Sequence, residues 1–148
     1  MKAELGTVSQ GTLRVEDLIP TFLSELPGLS KRAYNEVITM NRDLLAEDGS
    51  LISEEEYMGG QDYDEVLQAL LEEEVIPALD ELAPPYCYFG AHVGDGADFG
   101  FWVDQVALDE AVESGEVWRD DGSSPYPEYA EYRLVGEELY RRSGERVW

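Results

Sequence analysis

The sequence predicts an α+β fold, N-terminal helices packed on a C-terminal antiparallel β-sheet, and three observations carry that prediction. Residues 13–82 hold apolar side chains at helical spacing. Beyond them the character changes, with 12 of the 16 aromatic residues at Tyr86 or later, in strand-like runs. Ala83-Pro84-Pro85 forms a stiff connector between the two regions, and helices followed by strands are the pattern of an α+β domain. At 148 residues, 43% of them hydrophobic, the chain is expected to fold as one domain over 1–148 with one core. That domain would be helical over 13–82 and mainly β over 86–148.

The first helix is expected over 13–26, with Leu18, Ile19, Phe22, Leu23 and Leu26 as its inner stripe, Pro20 near its start and Pro27-Gly28 at its end. Ser30 then caps a second helix carrying Tyr34, Val37, Ile38, Met40, Leu44 and Leu45, which stops at Asp48-Gly49. The two make an αα-hairpin. Ser53 followed by Glu54-Glu55-Glu56 has the form of a capping box, broken by Gly59-Gly60. The longest helix spans 62–82, with Leu67, Leu70, Leu71, Val75, Ala78, Leu79 and Leu82 facing inward, and Pro77 kinks or divides it. Glu65, Glu72, Glu73 and Asp80 lie largely opposite that stripe. Strands are expected at 86–93, 99–103, 116–119, 131–135 and 139–148, the last folding back at Ser143-Gly144. A short amphipathic helix at 104–113 ends at Gly115, and 121–127 is an open loop.

Thirty-three acids against 10 bases give a formal charge of −23, and Lys2 and Lys31 are the only lysines. Such a surface repels nucleic acid and anionic lipid, so direct nucleic-acid binding is excluded and a basic partner is favoured. The single cysteine, Cys87, excludes an internal disulfide. With neither a signal-like leader nor an apolar run of about 18 residues, a cytoplasmic location and no membrane contact are expected.

The most informative segment is 86–103. Alternation places Cys87, Phe89, Ala91 and Val93 on one face, matched by Phe99, Phe101 and Val103 if an odd-numbered glycine loop joins the strands. The other face then holds Tyr88, Gly90 and His92 against Gly100 and Trp102. Two glycines across a strand pair leave a notch for a ligand or another backbone. In the plainer reading, Trp102 and His92 fold over the glycines and pack against the helices.

Catalytic and metal readings find little support. Cys87, His92, Asp95 and Asp98 match no zinc spacing, because Cys87 and His92 face opposite ways and neither residue type recurs. The Asp95-Gly96-Ala97-Asp98 turn lacks the acidic series of an EF-hand, and the glycines join two strands where a phosphate loop joins strand to helix. One His and one Cys on opposite faces make no dyad, and no Gly-x-Ser-x-Gly elbow occurs. No catalytic residue, cofactor or metal is assigned, and a non-enzymatic role is expected.

The stretch 88–102 resembles a segment of the form Tyr-Phe-Gly-Ala-His-x-Gly-Asp-Gly-x-Asp-Phe-Gly-Phe-Trp shared by small uncharacterised proteins of bacteriophages and other mobile elements, with a weaker likeness around Leu139-Tyr140-Arg141. The resemblance implies a phage or mobile-element origin, with the host cytoplasm as location, and carries no activity.

Two functional expectations follow. Duplex DNA carries one charge per about 1.7 Å, so the net charge equals that of roughly 40 Å of duplex, a length comparable with the domain. The first expectation is a DNA mimic that occupies the basic cleft of a nucleic-acid-binding protein such as a CRISPR effector, restriction enzyme or nuclease. Glu65, Glu72, Glu73 and Asp80 would form one rail of charge, and Asp109, Glu110 and Glu113 a second. In the other, the Tyr88/His92/Trp102 face is a protein-interaction surface and the acids serve solubility or salt adaptation. Glu outnumbers Asp, 21 to 12, which leans away from salt adaptation.

Overall fold

The computed structural model describes residues 3–122 and 125–148, so the loop expected over 121–127 lies partly outside the described residues. The fold is α+β, with helices N-terminal and strands mostly C-terminal. It divides into two compact units, Met1–Ala83 with Phe89–Trp102, and Pro84–Tyr88 with Val103–Trp148. The buried apolar side chains correspondingly form two clusters, where one core was expected.

In the first unit, helix α1 (Val15–Leu29) buries the expected stripe of Leu18, Ile19, Phe22, Leu23 and Leu26. It also runs through both prolines, which were expected at its ends. Burying each of those five side chains contributes about 1.5–3 kcal/mol, which outweighs two interior prolines at about 3 kcal/mol each. Ser30 ends the helix instead of Pro27-Gly28. Its N–H donates to the Leu26 carbonyl at 2.7 Å, and its Oγ accepts from the Ala33 N–H at 3.1 Å, capping helix α2 (Lys31–Met40).

Helix α2 stops short of the expected Leu44-Leu45. The Asn41 side-chain amide donates to the Val37 carbonyl at 2.8 Å, a local bond that competes with the helical ladder, and the backbone leaves helical geometry there. Leu44 and Leu45 are still buried, Leu45 through a bridge to Leu51, whereas Met40 is 69% exposed. Ser53 does cap, accepting from the Glu56 N–H at 3.3 Å, but for a single turn.

The long helix forms in three pieces: α3 (Tyr63–Ala69), a π-helical segment Leu70–Val75, and α4 (Ile76–Asp80). Asp62 caps it through Oδ1, which accepts from the Asp64 and Glu65 N–H groups. The division comes just before Pro77, which lacks an N–H and crowds the carbonyl four residues earlier. The chain widens there, the Ile76 N–H reaching back five residues to the Leu71 carbonyl.

Strand β1 (Gly6–Gln10), β2 (Cys87–His92) and β3 (Asp95–Val103) form a sheet with β3 in the centre. β1 had no strand signal beyond Val8. It pairs antiparallel with β3, Gly6 with Phe101 and Thr7 with Gly100, and bulges between Thr7 and Ser9. Phe22 lies against Phe89 at 5.0 Å and Phe99 at 5.5 Å between ring centroids, and Phe89 meets Phe101 at 4.9 Å.

In the second unit, Asp104 caps helix α5 (Gln105–Ser114) through a bond from the Ala107 N–H at 3.1 Å. Gly115 ends that helix in the left-handed region, as expected. A second sheet has the order β4 (Val117–Arg119), β5 (Tyr132–Val135), β6 (Glu138–Arg141). β4 and β5 are parallel, which adds a parallel pair to an otherwise antiparallel strand set. The connection from 120 to 131 has the length of about a dozen residues that a parallel return needs. The chain folds back after β6 as expected, with Gly144 at positive φ and Tyr140 bridged to Arg146.

Gly100 has a specific packing role. A Cβ there would overlap the Gly6 carbonyl oxygen, and it would lie 2.8 Å from the carbonyl carbon and 3.0 Å from Thr7 Cα. Gly100→Ala is expected to destabilise the protein by about 1–3 kcal/mol. Gly96→Ala, with no atom within 4 Å of the added carbon, should cost much less. Urea denaturation of the two variants measures the difference.

Candidate functional site

β2 and β3 are joined by the two residues Val93 and Gly94, where an odd-numbered loop was expected. Side chains on either side of the turn hold it tight. The Gly94 N–H donates to His92 Nδ1 at 3.0 Å, and the Ala97 N–H to Asp95 Oδ1 at 3.0 Å. The inward face is real at Phe89 and Phe101, both buried. It fails at the tip, where Ala91 is exposed and Val93 is 92% exposed.

The opposite face brings His92 and Trp102 together, ring centroids 4.7 Å apart and edge to face. The Trp102 indole N–H donates to the Gly90 carbonyl at 3.0 Å, and Gly100 is covered by the backbone of β1. The two glycines are thus occupied by the chain itself, one by an indole bond and one by a neighbouring strand. Tyr88 belongs to the other compact unit. Burial, and then the charge of Asp104, raise its phenol above the ordinary tyrosine value.

Cys87 is half-buried, and burial followed by the Asp104 carboxylate pushes its thiol up to about 12. At neutral pH it is therefore a thiol, the unreactive form. Among the described residues, no group of three or more His, Cys, Asp and Glu side chains is placed to hold a metal ion.

The acidic residues divide by what they do. Glu65, Glu72, Glu73 and Asp80 are all exposed along α3, the π-helical segment and α4. Asp80 nevertheless has a structural task, since its Oδ1 accepts from the Phe89 N–H at 2.9 Å and ties the end of α4 to the start of the hairpin. Glu72 accepts from Gln68 Nε2 at 2.7 Å. On α5, Asp109, Glu110 and Glu113 are exposed, and Asp109 takes a bond from Gln105 Nε2 and sits 4.0 Å from Arg119. The two rails thus lie in different compact units.

Among the described residues, the ion pairs involve none of Glu65, Glu72, Glu73, Asp80, Glu110 and Glu113. The reason is visible in the sequence. No lysine or arginine lies between Arg42 and Arg119, a stretch that holds 21 of the 33 acids. Glu74 and Glu81, outside the expected rails, line with Glu36 and Glu73 a groove of about 190 Å³ beside α2 and α4.

Comparison with protein families, with curated proteins and with solved structures finds no match to this chain.

Two predictions follow from the site. Cys87 in the folded protein should react with iodoacetamide at pH 8 far more slowly than in urea, where the thiol returns to the ordinary cysteine range. Rate measurements by mass spectrometry test this, and equal rates would contradict the burial. Asp80→Ala should cost about 1 kcal/mol of stability by leaving the Phe89 N–H without its acceptor, while Glu73→Ala stays within about 0.5 kcal/mol; thermal melts compare them.

Proposed function

We propose that the protein is a non-catalytic acidic binding protein that engages a basic, nucleic-acid-binding partner in place of DNA. The observation that carries this reading is the exposed acidic surface of α3, the π-helical segment and α4, whose carboxylates make no ion pair among the described residues. Carboxylates left without internal partners keep their full field for an external one, which steers association and sets its salt dependence. The resemblance of 88–102 to phage and mobile-element proteins extends the proposal to an inhibitor of a host DNA-binding defence protein, acting in the host cytoplasm. The hairpin face supports the role of scaffold better than that of contact, since the Trp102 indole and the Gly100 backbone already have partners in the chain.

A pull-down from host extract, with double-stranded DNA as competitor, tests the proposal. Capture of a partner should fall by about tenfold or more as salt rises from ~50 to ~300 mM, and DNA should displace it. Glu65→Gln/Glu72→Gln/Glu73→Gln should lose capture while folding normally, and Trp102→Phe should retain it. A partner held equally at high salt and by the triple variant would overturn the electrostatic reading.

A further inference from the structure

We propose that the groove between α2 and α4 anchors an arginine side chain of the basic partner, an inference that rests on the binding role above and gives it a location. The apolar part of the groove lining comes from Ala33, Val37 and Met40 of α2 and from Pro77 and Ala78 of α4. Glu36, Glu73, Glu74 and Glu81 complete the lining.

The spacing explains how the site arises. Ala33, Val37 and Met40 repeat at four and three residues and so line one face of α2, while Glu73 and Glu74 come from the π-helical segment, Pro77 and Ala78 from α4, and Glu81 from its C-terminal cap. Met40 is 69% exposed and Pro77 is exposed, an apolar surface at the edge of the first unit that a partner would cover.

Apolar surface beside four glutamates suits one side chain in particular. The methylene stem of arginine lies along apolar surface while its head stays among polar groups. The planar guanidinium then pairs with carboxylates through two parallel bonds, which the point charge of lysine does not. The flexible methionine adapts to the stem. One of the four glutamates already pairs with a guanidinium, since Arg32 Nε lies 3.1 Å from Glu36 Oε1. Glu73, Glu74 and Glu81 make no ion pair among the described residues and remain for the partner. A second copy of this chain is a poor occupant, because like charges would face each other.

The methionines supply the test. Protein of residues 1–148, labelled at the methionine methyl carbons, is titrated with a short alanine-based helical peptide bearing arginines one turn apart, and with its lysine counterpart. Met40 is assigned with Met40→Leu, and Met58, 92% exposed and outside the groove lining, is the internal control. The Met40 signal should shift saturably with the arginine peptide and Met58 should stay still. Glu73→Gln/Glu74→Gln/Glu81→Gln should weaken binding by about tenfold. Peptide binding seen by fluorescence anisotropy with a stationary Met40 signal would overturn the groove and leave the acidic-binding role standing. Absence of binding by either peptide would overturn both, and equal binding of the two would overturn the preference for arginine.

Discussion

Phe22 is the contact around which the first unit is arranged. It is fully buried, packs edge to face against Phe89, and meets Phe99, while Phe89 continues the chain of rings to Phe101. Such pairs are worth about 0.5–1.5 kcal/mol each beyond the area they bury. The cluster sets conditions on everything beside it. Helix α1 has to remain helical through two prolines to present Phe22 with its leucine neighbours. β3 has to turn both Phe99 and Phe101 to the cluster, which leaves the intervening Gly100 where β1 closes over it. Asp80 fixes the hairpin's first buried ring by holding the Phe89 N–H.

Around that core the acidity serves two separable ends. Some carboxylates build the fold: Asp62 and Asp104 cap helices, and Asp48 closes a turn by accepting from both the N–H and the hydroxyl of Ser50, bonds that lower its pKa. Others, Glu65, Glu72, Glu73, Glu74 and Glu81 among them, make no ion pair among the described residues. None of the five α-helices has a basic residue in its last turn, so the negative helix ends are also uncompensated. A protein that only needed solubility would lose little by placing a few lysines among its glutamates, and this one has none from Asp43 to Trp118.

The sequence was most readable where one residue decides one event. Ser30 and Gly115 mark their helix ends, and the apolar stripe of α1 is buried as its spacing requires. It was least readable where a remote part of the chain decides. β1 carries a single apolar side chain and exists because β3 offers it an edge. The two-residue turn depends on side-chain bonds from His92 and Asp95 that alternation does not register, and the parallel pairing of β4 depends on the path of a long connection. Of the site, the exposed acids of the long helix were legible. The structural duty of Asp80 and the α2–α4 groove were not, because both arise from segments distant in sequence.

The π-helical segment has a consequence for the phase of the acidic surface. A turn that closes on the fifth residue absorbs one residue more than an α-helical turn, so Asp80 and Glu81 stand about one residue's step, roughly 100°, away from where an unbroken α-helix continued from Glu65 would place them. Glu72, Glu73 and Glu74 sit inside that wider turn. The pattern of charge along this rod is therefore set by chain length as much as by composition. Removing Leu71 would take out no carboxylate, yet it would close the wider turn to an α-helical one and change the angle between the acids before it and those after it.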